Sequence, residues 1–314
     1  MSSNERLQQL YSHLSPSYSL GLSIQPAKEI SPELKERVLN EENHRRLEGK
    51  VCIVTGAGSA MGIGRSAAFT FAKDGAAVIY VTDIYGERLP KLVEDIKSKY
   101  PQIKCIARIL DATDEASVAA ITKDAVKEHG RLDVFFASAG SSEYSGTVNS
   151  KEFMESIRLN ALSAFLAIKH AGEAMKVTGG SKKESGGSII LTSSVAGVRS
   201  GAGPIHYSAA KAAVINLAMT GATSLANTNI RVNAICPGLI ETDMTKEFFD
   251  LARKKNVADK IGQLNPLGRY GIATEIANVA SFLASDESSY INGQAIRACG
   301  GLSASLPIVP GRWQ

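Results

Sequence analysis

The sequence predicts one α/β domain in which seven parallel strands carry helices on both faces, a doubly wound arrangement. Three observations support this prediction. Short apolar segments alternate with amphipathic stretches, a glycine-rich turn follows the first apolar segment, and an aspartate ends the second. With 314 residues, 44% of them hydrophobic and 21% charged, the chain is able to bury one large core.

Seven short apolar segments are predicted as strands. They are VCIVT, AAVIYVTD, IKCIARI, LDVFFAS, GSIILTS, IRVNAI and AIRA. The stretches between them are predicted as helices at 64–74, 86–100, 114–130, 150–176, 207–226 and 273–285. Right-handed crossovers would place these helices on both faces of the sheet, so binding is expected at the carboxyl ends of the strands.

Residues 1–48 differ in composition from the rest of the chain and are predicted as an N-terminal extension with one short helix capped by Ser31. The main domain is predicted at 49–314. Two long connections interrupt it: a polar, glycine-rich loop at 177–187, expected to be solvated, and a segment near 239–268, expected to form a lid.

Charge and cysteine spacing exclude several classes of protein. A formal charge of +4 without a dense basic block argues against nucleic-acid binding. The four cysteines are far apart, with no Cys-x-x-Cys pair, so neither a disulfide framework nor a metal site is expected, and a cytoplasmic location is favoured. No apolar stretch is long enough to cross a membrane, and the first residues lack a signal-peptide pattern.

The glycine-rich turn TGAGSAMGIGR connects the first strand to the first helix. Glycines such as Gly56, Gly62 and Gly64 allow a tight turn, and they let backbone N–H groups near Ile63 approach a pyrophosphate at the helix N-terminus. The domain is therefore predicted to be of the Rossmann type, with a bound dinucleotide.

The second predicted strand ends at Asp83, nineteen residues after Gly64. Its carboxylate is placed to accept hydrogen bonds from both hydroxyls of an adenosine ribose, and it would repel the additional phosphate of NADP. NAD is therefore favoured. NADP remains the alternative if Arg65 or Arg88 compensates for the carboxylate.

Tyr207 and Lys211 are four residues apart in a helical pattern, so they lie on one helix face. A tyrosine with the ordinary pKa of about 10 is a weak base at neutral pH. A nearby ammonium and an oxidised nicotinamide ring favour the phenolate. This pair is therefore predicted to make Tyr207 a general acid/base.

From about Leu47 to Leu302 the sequence resembles the short-chain dehydrogenase/reductase family. The family's serine lies thirteen positions before the tyrosine, which selects Ser194 rather than Ser193. The resemblance implies that Ser194 binds the substrate oxygen, that Tyr207 exchanges a proton with it, and that Lys211 holds the nicotinamide ribose.

The resemblance also implies further site residues. Asn160 matches the family asparagine that holds a water linking Lys211 to solvent. Asp111, with Ala112 beside it, matches the position whose side chain meets the adenine amino group.

The segment ICPGLIETDM matches the family's Pro-Gly-x-x-x-Thr pattern, with Pro237, Gly238 and Thr242. The resemblance implies that the backbone of Ile240 and the hydroxyl of Thr242 bind the nicotinamide carboxamide.

Two segments depart from the family pattern. If Gly56 is the first family glycine, two extra residues precede Gly62; if Gly58 is, the spacing fits but the Thr-Gly pairing does not. We prefer Gly56 with a two-residue bulge. The family's Asn-Asn-Ala-Gly appears as ASAG at 137–140, so the cofactor contacts expected near Ala139 depend on the backbone or on Ser138.

The predicted reaction is the interconversion of a secondary alcohol and a ketone by hydride transfer with NAD(P). Two alternatives use the same fold: a cofactor-binding sensor or scaffold without turnover, and an enoyl reductase or dehydratase. The substrate is expected to be a small molecule with some hydrocarbon bulk. The candidate pocket residues are Tyr144, Val195, Leu239, Met244, Phe248 and Phe249.

By the same resemblance, the helix at 150–176 and the helix that carries the tyrosine are expected to form subunit interfaces of a homotetramer, or of a dimer. No membrane partner is expected.

Overall fold

The computed structural model describes residues 45–142 and 148–305. Its central feature is a seven-stranded sheet in which every described strand pair is parallel. The strands are β1 (Val51–Thr55), β2 (Val78–Asp83), β3 (Lys104–Ile109), β4 (Val134–Ala137), β5 (Gly187–Thr192), β6 (Ile230–Pro237) and, in a later segment, β9 (Ala295–Ala298).

The strand order is β3-β2-β1-β4-β5-β6-β9, which reverses direction between β1 and β4. All seven predicted strands are present, so the doubly wound α/β prediction is confirmed. The reversal opens a crevice at the carboxyl ends of β1 and β4, where ligands bind in folds of this kind.

Helices connect the strands. They are α1 (Ile63–Lys73), α2 (Leu89–Lys99), α3 (Glu115–His129), α4 (Ser150–Ile157), α5 (Ser163–Lys176), α6 (Ile205–Ser224), α7 (Lys246–Lys254) and α8 (Ala273–Ala284). Local sequence explains several ends. The Asp114 side chain caps α3 by accepting from the Ser117 N–H, and Gly130 ends that helix with φ at 71°. The predicted helix at 150–176 consists of α4, a π-helical turn over Arg158–Leu162, and α5.

The core lies on both faces of the sheet because successive strand residues point in opposite directions. In β1, Val51 and Ile53 belong to one buried cluster, and Cys52 and Val54 belong to the other. Leu47 also packs into the second cluster. The boundary of the N-terminal extension at residue 48 stays a prediction, since residues 1–44, including Ser31, lie outside the described part.

The segment near 239–268 has more regular structure than the sequence indicated. Two short strands, β7 (Ile240–Glu241) and β8 (Gly271–Ile272), pair with each other, and α7 lies between them. Phe249 of α7 packs against Ala252 and Ile261 in a small cluster of its own. The two strands have only two residues each, too few to show a periodicity in the sequence.

The loop at 177–187 was expected to be solvated, but one of its lysines is buried. Lys182 is buried, and its ammonium donates to the backbone carbonyls of Leu132 and Met175, both at 2.8 Å. The neighbouring Lys183 is exposed, as expected for the loop. Composition alone favoured solvent for both lysines; only the fold brings two carbonyls within reach of one of them.

Candidate active site

A cavity of about 790 Å³ lies at the carboxyl edge of the sheet. Thirteen of the residues predicted for catalysis or cofactor binding line it: Gly56, Gly62, Ile63, Asp83, Asp111, Ala112, Ala139, Ser194, Tyr207, Lys211, Pro237, Ile240 and Thr242. The two others, Gly64 and Asn160, are not among its lining residues.

Ser193 and Ser194 follow β5, and their hydroxyls have different surroundings. The Ser193 hydroxyl is buried and donates to the backbone carbonyl of Lys211 at 2.7 Å, which ties the end of β5 to α6. The Ser194 hydroxyl accepts from the Ala196 N–H at 3.1 Å and also interacts with the Tyr207 hydroxyl. The structure therefore brings Ser194, rather than its neighbour, to Tyr207.

Tyr207 and Lys211 lie on the same face of α6, one turn apart. The Lys211 Nζ is 5.5 Å from the centroid of the Tyr207 ring and donates to the Thr192 carbonyl at 2.8 Å. Because that carbonyl holds the ammonium at the end of β5, the lysine is fixed between the tyrosine and the sheet.

Burial dominates the proton affinities of this pair. Burial raises the pKa of Tyr207, and hydrogen bonding with Ser194 acts in the opposite direction. Burial lowers the pKa of Lys211 to about 8. The lowered tyrosine pKa expected from the sequence is therefore not a property of these side chains alone, because the cost of burying the phenolate outweighs its hydrogen bond with Ser194.

Asn160 is held in the π-helical turn between α4 and α5. Its amide Nδ2 donates to the carbonyls of Ser141 and Ser156, at 2.9 and 3.1 Å. Its Oδ1 is buried without a hydrogen-bond partner among the described residues. A Cβ atom added to Gly140 would lie 2.8 Å from this Oδ1 and 3.2 Å from the Lys211 Nζ. The oxygen and the ammonium thus face one small space beside Gly140.

The glycine-rich turn folds tightly around the start of α1. Gly56 has φ at 68°, and a Cβ atom on Gly64 would lie only 2.4 Å from the Gly56 carbonyl oxygen. Gly62 is the N-cap of α1. The first N–H groups of that helix have no intrahelical acceptor, and they lie at the cavity wall.

Asp83 contacts this turn directly. Its carboxylate accepts from the N–H groups of Gly58 and Tyr85, at 2.9 and 3.0 Å. Arg65, one of the two arginines considered for NADP, instead pairs with Asp95 at 2.8 Å. Arg88, the other, lines the cavity near Asp83.

The end of β4, where the family pattern has asparagines, is bound by a side chain of the neighbouring strand β1. The Thr55 hydroxyl accepts from the N–H groups of Ser138 and Ala139, at 3.1 and 3.2 Å. Sequence reasoning did not identify this role of Thr55, which depends on β1 and β4 being neighbours.

Asp111 has partners within the protein. Its Oδ1 accepts from the N–H and the hydroxyl of Thr113, and its Oδ2 lies 3.8 Å from an Arg158 nitrogen. Burial raises the pKa of Asp111, but the Thr113 hydrogen bonds and Arg158 outweigh this effect, so the pKa is lowered. Ala112 beside it is buried at the cavity wall.

The segment after β6 folds back over the cavity. Pro237 ends β6, and a Cβ atom on Gly238 would lie 2.8 Å from the Cys299 Cα, so only glycine fits there. The Thr245 hydroxyl donates to the Ile240 carbonyl at 2.7 Å and lies 3.4 Å from the Thr242 hydroxyl. This turn brings Ile240 and Thr242 to the cavity.

The predicted substrate-pocket residues are only partly brought together. Val195, Leu239 and Met244 line the cavity. The prediction was wrong for the two phenylalanines: Phe249 is buried in the α7 cluster, and Phe248 lies exposed beside it. Tyr144 lies outside the described residues. Sequence reasoning missed other wall residues, among them Ala202, Gly203, Pro204 and Leu302.

Sequence reasoning also missed Asp243, which lines the cavity next to Thr242. Its Oδ2 accepts from the Ala60 N–H at 2.7 Å and from the Ser59 hydroxyl at 3.0 Å. The same oxygen lies 3.1 Å from a guanidinium nitrogen of Arg88. An acidic residue after the Pro-Gly-x-x-x-Thr pattern was the only sequence signal, and nothing in it indicated these partners.

The residues present fit a nicotinamide dinucleotide. Asp83 at the end of β2, Gly62 and Ile63 at the N-terminus of α1, and Ser194, Tyr207 and Lys211 all line the same cavity. The unpartnered Oδ1 of Asn160 and the space beside Gly140 complete the polar surroundings of Lys211.

The chain is similar to known oxidoreductases over most of its length. A family model described as enoyl-(acyl carrier protein) reductase matches residues 56–303. The 3-oxoacyl-(acyl-carrier-protein) reductase FabG of Thermotoga maritima is 39% identical over 259 residues, which cover 82% of this chain and 99% of that protein. Levodione reductase of Leifsonia aquatica is 32% identical, with 83% and 96% covered.

Solved structures agree with these similarities. A crystal structure of levodione reductase has a TM-score of 0.73 and 30% identity, covering 83% of this chain and all of that one. A short-chain type dehydrogenase/reductase from Mycobacterium ulcerans has a TM-score of 0.73 and 28% identity, with 82% and 91% covered. The chain therefore belongs to the short-chain dehydrogenase/reductase family, whose members are NAD(P)-dependent oxidoreductases.

Proposed function

We propose that this oxidoreductase interconverts a secondary alcohol and a ketone, with Tyr207 as the general acid/base. The observation that carries the proposal is the contact between the Ser194 and Tyr207 hydroxyls at the cavity, with the Lys211 ammonium 5.5 Å from the tyrosine ring. A bound nicotinamide would supply or accept the hydride. The protein's own groups then have to bind the substrate oxygen and exchange its proton.

Four side chains share these tasks. The Ser194 hydroxyl donates to the substrate oxygen and stabilises the negative charge that develops on it. Tyr207 gives its phenolic proton to that oxygen during reduction and takes it back during oxidation. The Lys211 ammonium stabilises the phenolate. The Asn160 Oδ1 binds a water molecule that links Lys211 to solvent, so that protons can leave the site.

NAD is the proposed cofactor. Asp83 supports it because a carboxylate at the end of β2 disfavours a phosphate on the adenosine ribose. The pairing of Arg65 with Asp95 supports it further, since that arginine's charge is already compensated. The carboxamide contacts of Ile240 and Thr242 and the adenine contact of Asp111 belong to the same proposal.

The proposed substrate is a ketone or alcohol with hydrocarbon bulk. Val195, Pro204, Leu239 and Met244 give the wall beyond Ser194 an apolar character. Two relatives carry names that specify carbonyl substrates, a 3-oxoacyl thioester and levodione. A carbonyl beside an apolar group is common to both.

Enoyl reduction is the second candidate, because the matching family model carries that description. The interaction between Ser194 and Tyr207 favours carbonyl chemistry instead, since it offers two hydroxyls to one substrate oxygen. A sensor without turnover would have no physical need for the complete set of serine, tyrosine and lysine.

We also propose an oligomeric state and a cellular location for the protein. A homotetramer or dimer is proposed through the α4–α5 and α6 helices, which carry exposed apolar side chains such as Phe165 and Ile205. The four free cysteines support a reducing compartment such as the cytoplasm. Closure of the segment near 239–268 over the cavity is part of the same proposal. No helix of the described residues combines the length and the hydropathy of a membrane span.

The test is a panel of ketones and enoyl compounds with NADH, followed by absorbance, for the unaltered protein, Tyr207→Phe and Tyr290→Phe. Tyr290 is fully exposed and serves as the matched control. We expect ketone turnover to fall at least about a hundredfold in Tyr207→Phe while NADH binding persists. Near-normal turnover in that variant, or turnover of enoyl compounds alone, would refute the proposal.

A further inference from the structure

Asp243 connects two parts of the cavity that are far apart in sequence. It directly follows Thr242, on the nicotinamide side of the proposed cofactor site. Its Oδ2 accepts from the Ala60 N–H and the Ser59 hydroxyl of the glycine-rich turn, and it pairs with Arg88 beyond β2. One carboxylate therefore fixes both the turn and the cation near the ribose end.

The contact with the turn involves the part that departs from the family spacing. Five residues separate Gly56 from Gly62, two more than the family pattern has, and Ser59 and Ala60 are among them. The longer turn brings these residues to Asp243. Two hydrogen bonds to one carboxylate then hold the turn against the segment that comes after β6.

Arg88 is the remaining cation that could meet a phosphate on the ribose. Gly58 binds Asp83 on one side of the turn, and Ser59 and Ala60 bind Asp243, so Arg88 lies close to the same turn as Asp83. A ribose phosphate needs such a partner, because charge-assisted hydrogen bonds from arginine dominate phosphate recognition. In this structure the Arg88 charge is compensated by Asp243 at 3.1 Å.

We propose that Asp243 is a second determinant of cofactor specificity: by pairing with Arg88 it withholds the cation that NADP would require, and so reinforces the preference set by Asp83. This inference rests on the proposed function, because it assumes a dinucleotide in the cavity. It concerns binding selectivity rather than chemistry, so equilibrium binding tests it without turnover.

The decisive variant is Asp243→Asn. Asparagine keeps a side-chain oxygen that can still accept from Ala60 and Ser59, but it removes the charge that pairs with Arg88. We expect the ratio of the NADPH and NADH dissociation constants, measured by the fluorescence of the reduced cofactors, to fall about three- to tenfold. The shift should shrink as salt is added.

Three further proteins make the test specific. Asp250→Asn removes a carboxylate from α7 that pairs with Lys246, and it should leave the ratio unchanged. Arg88→Gln alone should change the ratio less than about twofold, because its charge is already compensated. In the double variant Asp243→Asn/Arg88→Gln the ratio should no longer fall, which would show that the improved NADPH binding of Asp243→Asn depends on Arg88.

The outcomes separate the two proposals. If the unaltered protein binds neither reduced cofactor, the proposed function fails and this inference fails with it. If it binds NADH while Asp243→Asn leaves the ratio unchanged, only the inference is overturned. A gain that persists in the double variant also overturns it, because the effect would then not act through Arg88.

Discussion

The hydroxyl of Thr55 connects the ends of two neighbouring strands at the cavity. It accepts from two consecutive N–H groups at the end of β4, where the family pattern has asparagines. Both N–H groups would otherwise lose their acceptor at the crossing point of the strands. A single buried oxygen thereby stabilises the backbone that faces the proposed adenosine site.

Replacing Thr55 with valine tests this role. The shape is kept, but two N–H groups lose their acceptor, so we expect the free energy of unfolding to fall by about 1–3 kcal/mol and NADH affinity to weaken. Denaturant titration and cofactor fluorescence are the measurements. Thr220→Val is the matched control, since the Thr220 hydroxyl bonds only the carbonyl one turn earlier on the exposed side of α6. Equal losses in the two variants would contradict the assignment.

Tyr207 and Lys211 illustrate a different residue-scale effect. Burial favours the neutral form of both side chains. It raises the pKa of Tyr207 and lowers the pKa of Lys211 to about 8. The sequence spacing correctly placed both on one helix face. The cost of desolvation depends on how deeply the fold buries that face, and spacing carries no information on depth.

The loop at 177–187 shows how an element can be anchored by one side chain. Lys182 turns inward and donates to two carbonyls, one at the end of α5 and one before β4. Burial lowers its pKa to about 8, from an ordinary value of 10.5. The unfolded chain therefore binds more protons than the folded one between pH 8 and pH 10.5.

This difference predicts a pH dependence of stability. A lowered lysine pKa adds to the free energy of unfolding as the pH rises from about 8 to 10.5, and this added stability is lost again as the pH falls from 10.5 to about 8. Lys182→Met should remove that contribution and make the profile flatter by up to about 1.4 kcal/mol per pH unit. Urea titrations at several pH values measure it, with Lys183→Met as the exposed neighbour. A profile for Lys182→Met that matches the control would refute the prediction.

The segment between β6 and α8 is the element on which specificity depends in our proposals. It carries Ile240 on the short strand β7, Thr242 directly after that strand, and Asp243 at the start of the 3-10 turn that follows. The pairing of β7 with β8 fixes where these residues point. Helix α7 packs on its own small cluster, so its phenylalanines are structural or exposed instead of lining the cavity.

At the scale of the whole molecule, apolar side chains remain exposed on the helices proposed as interfaces. Phe165 on α5 and Ile205 and Met219 on α6 are each more than one third exposed. Exposed apolar groups on adjacent elements are typical of surfaces that become buried on association. They support an assembly larger than the single chain.

Light scattering tests this expectation. We expect the mass of a tetramer, or of a dimer, and Phe165→Asp should shift it towards smaller species because a charge would be buried at the interface. Ile109→Asp is the control, since Ile109 is exposed on the edge strand β3. A monomer in the unaltered protein, or identical masses in all three proteins, would contradict the assembly.

The sequence by itself determined the seven strands, the positions of seven of the eight helices named above, and the order of the site motifs. Hydrophobic periodicity predicts the strands and the helices, because each of these elements must bury a repeating face. The motifs are local signals, because the spacing of their residues along the chain does not depend on the elements that pack around them. Thirteen predicted residues met at one cavity for this reason.

Only the tertiary structure decided which distant groups meet. The Asp243–Arg88 pair, the Thr55 contacts with β4 and the buried Lys182 join residues from 50 to 155 positions apart. The same holds for the phenylalanines of α7: both are hydrophobic, but only the fold decides that Phe249 is buried in the α7 cluster while Phe248 is exposed. Periodicity shows which face of an element is buried. Which other element packs against that face depends on the tertiary structure of the whole chain.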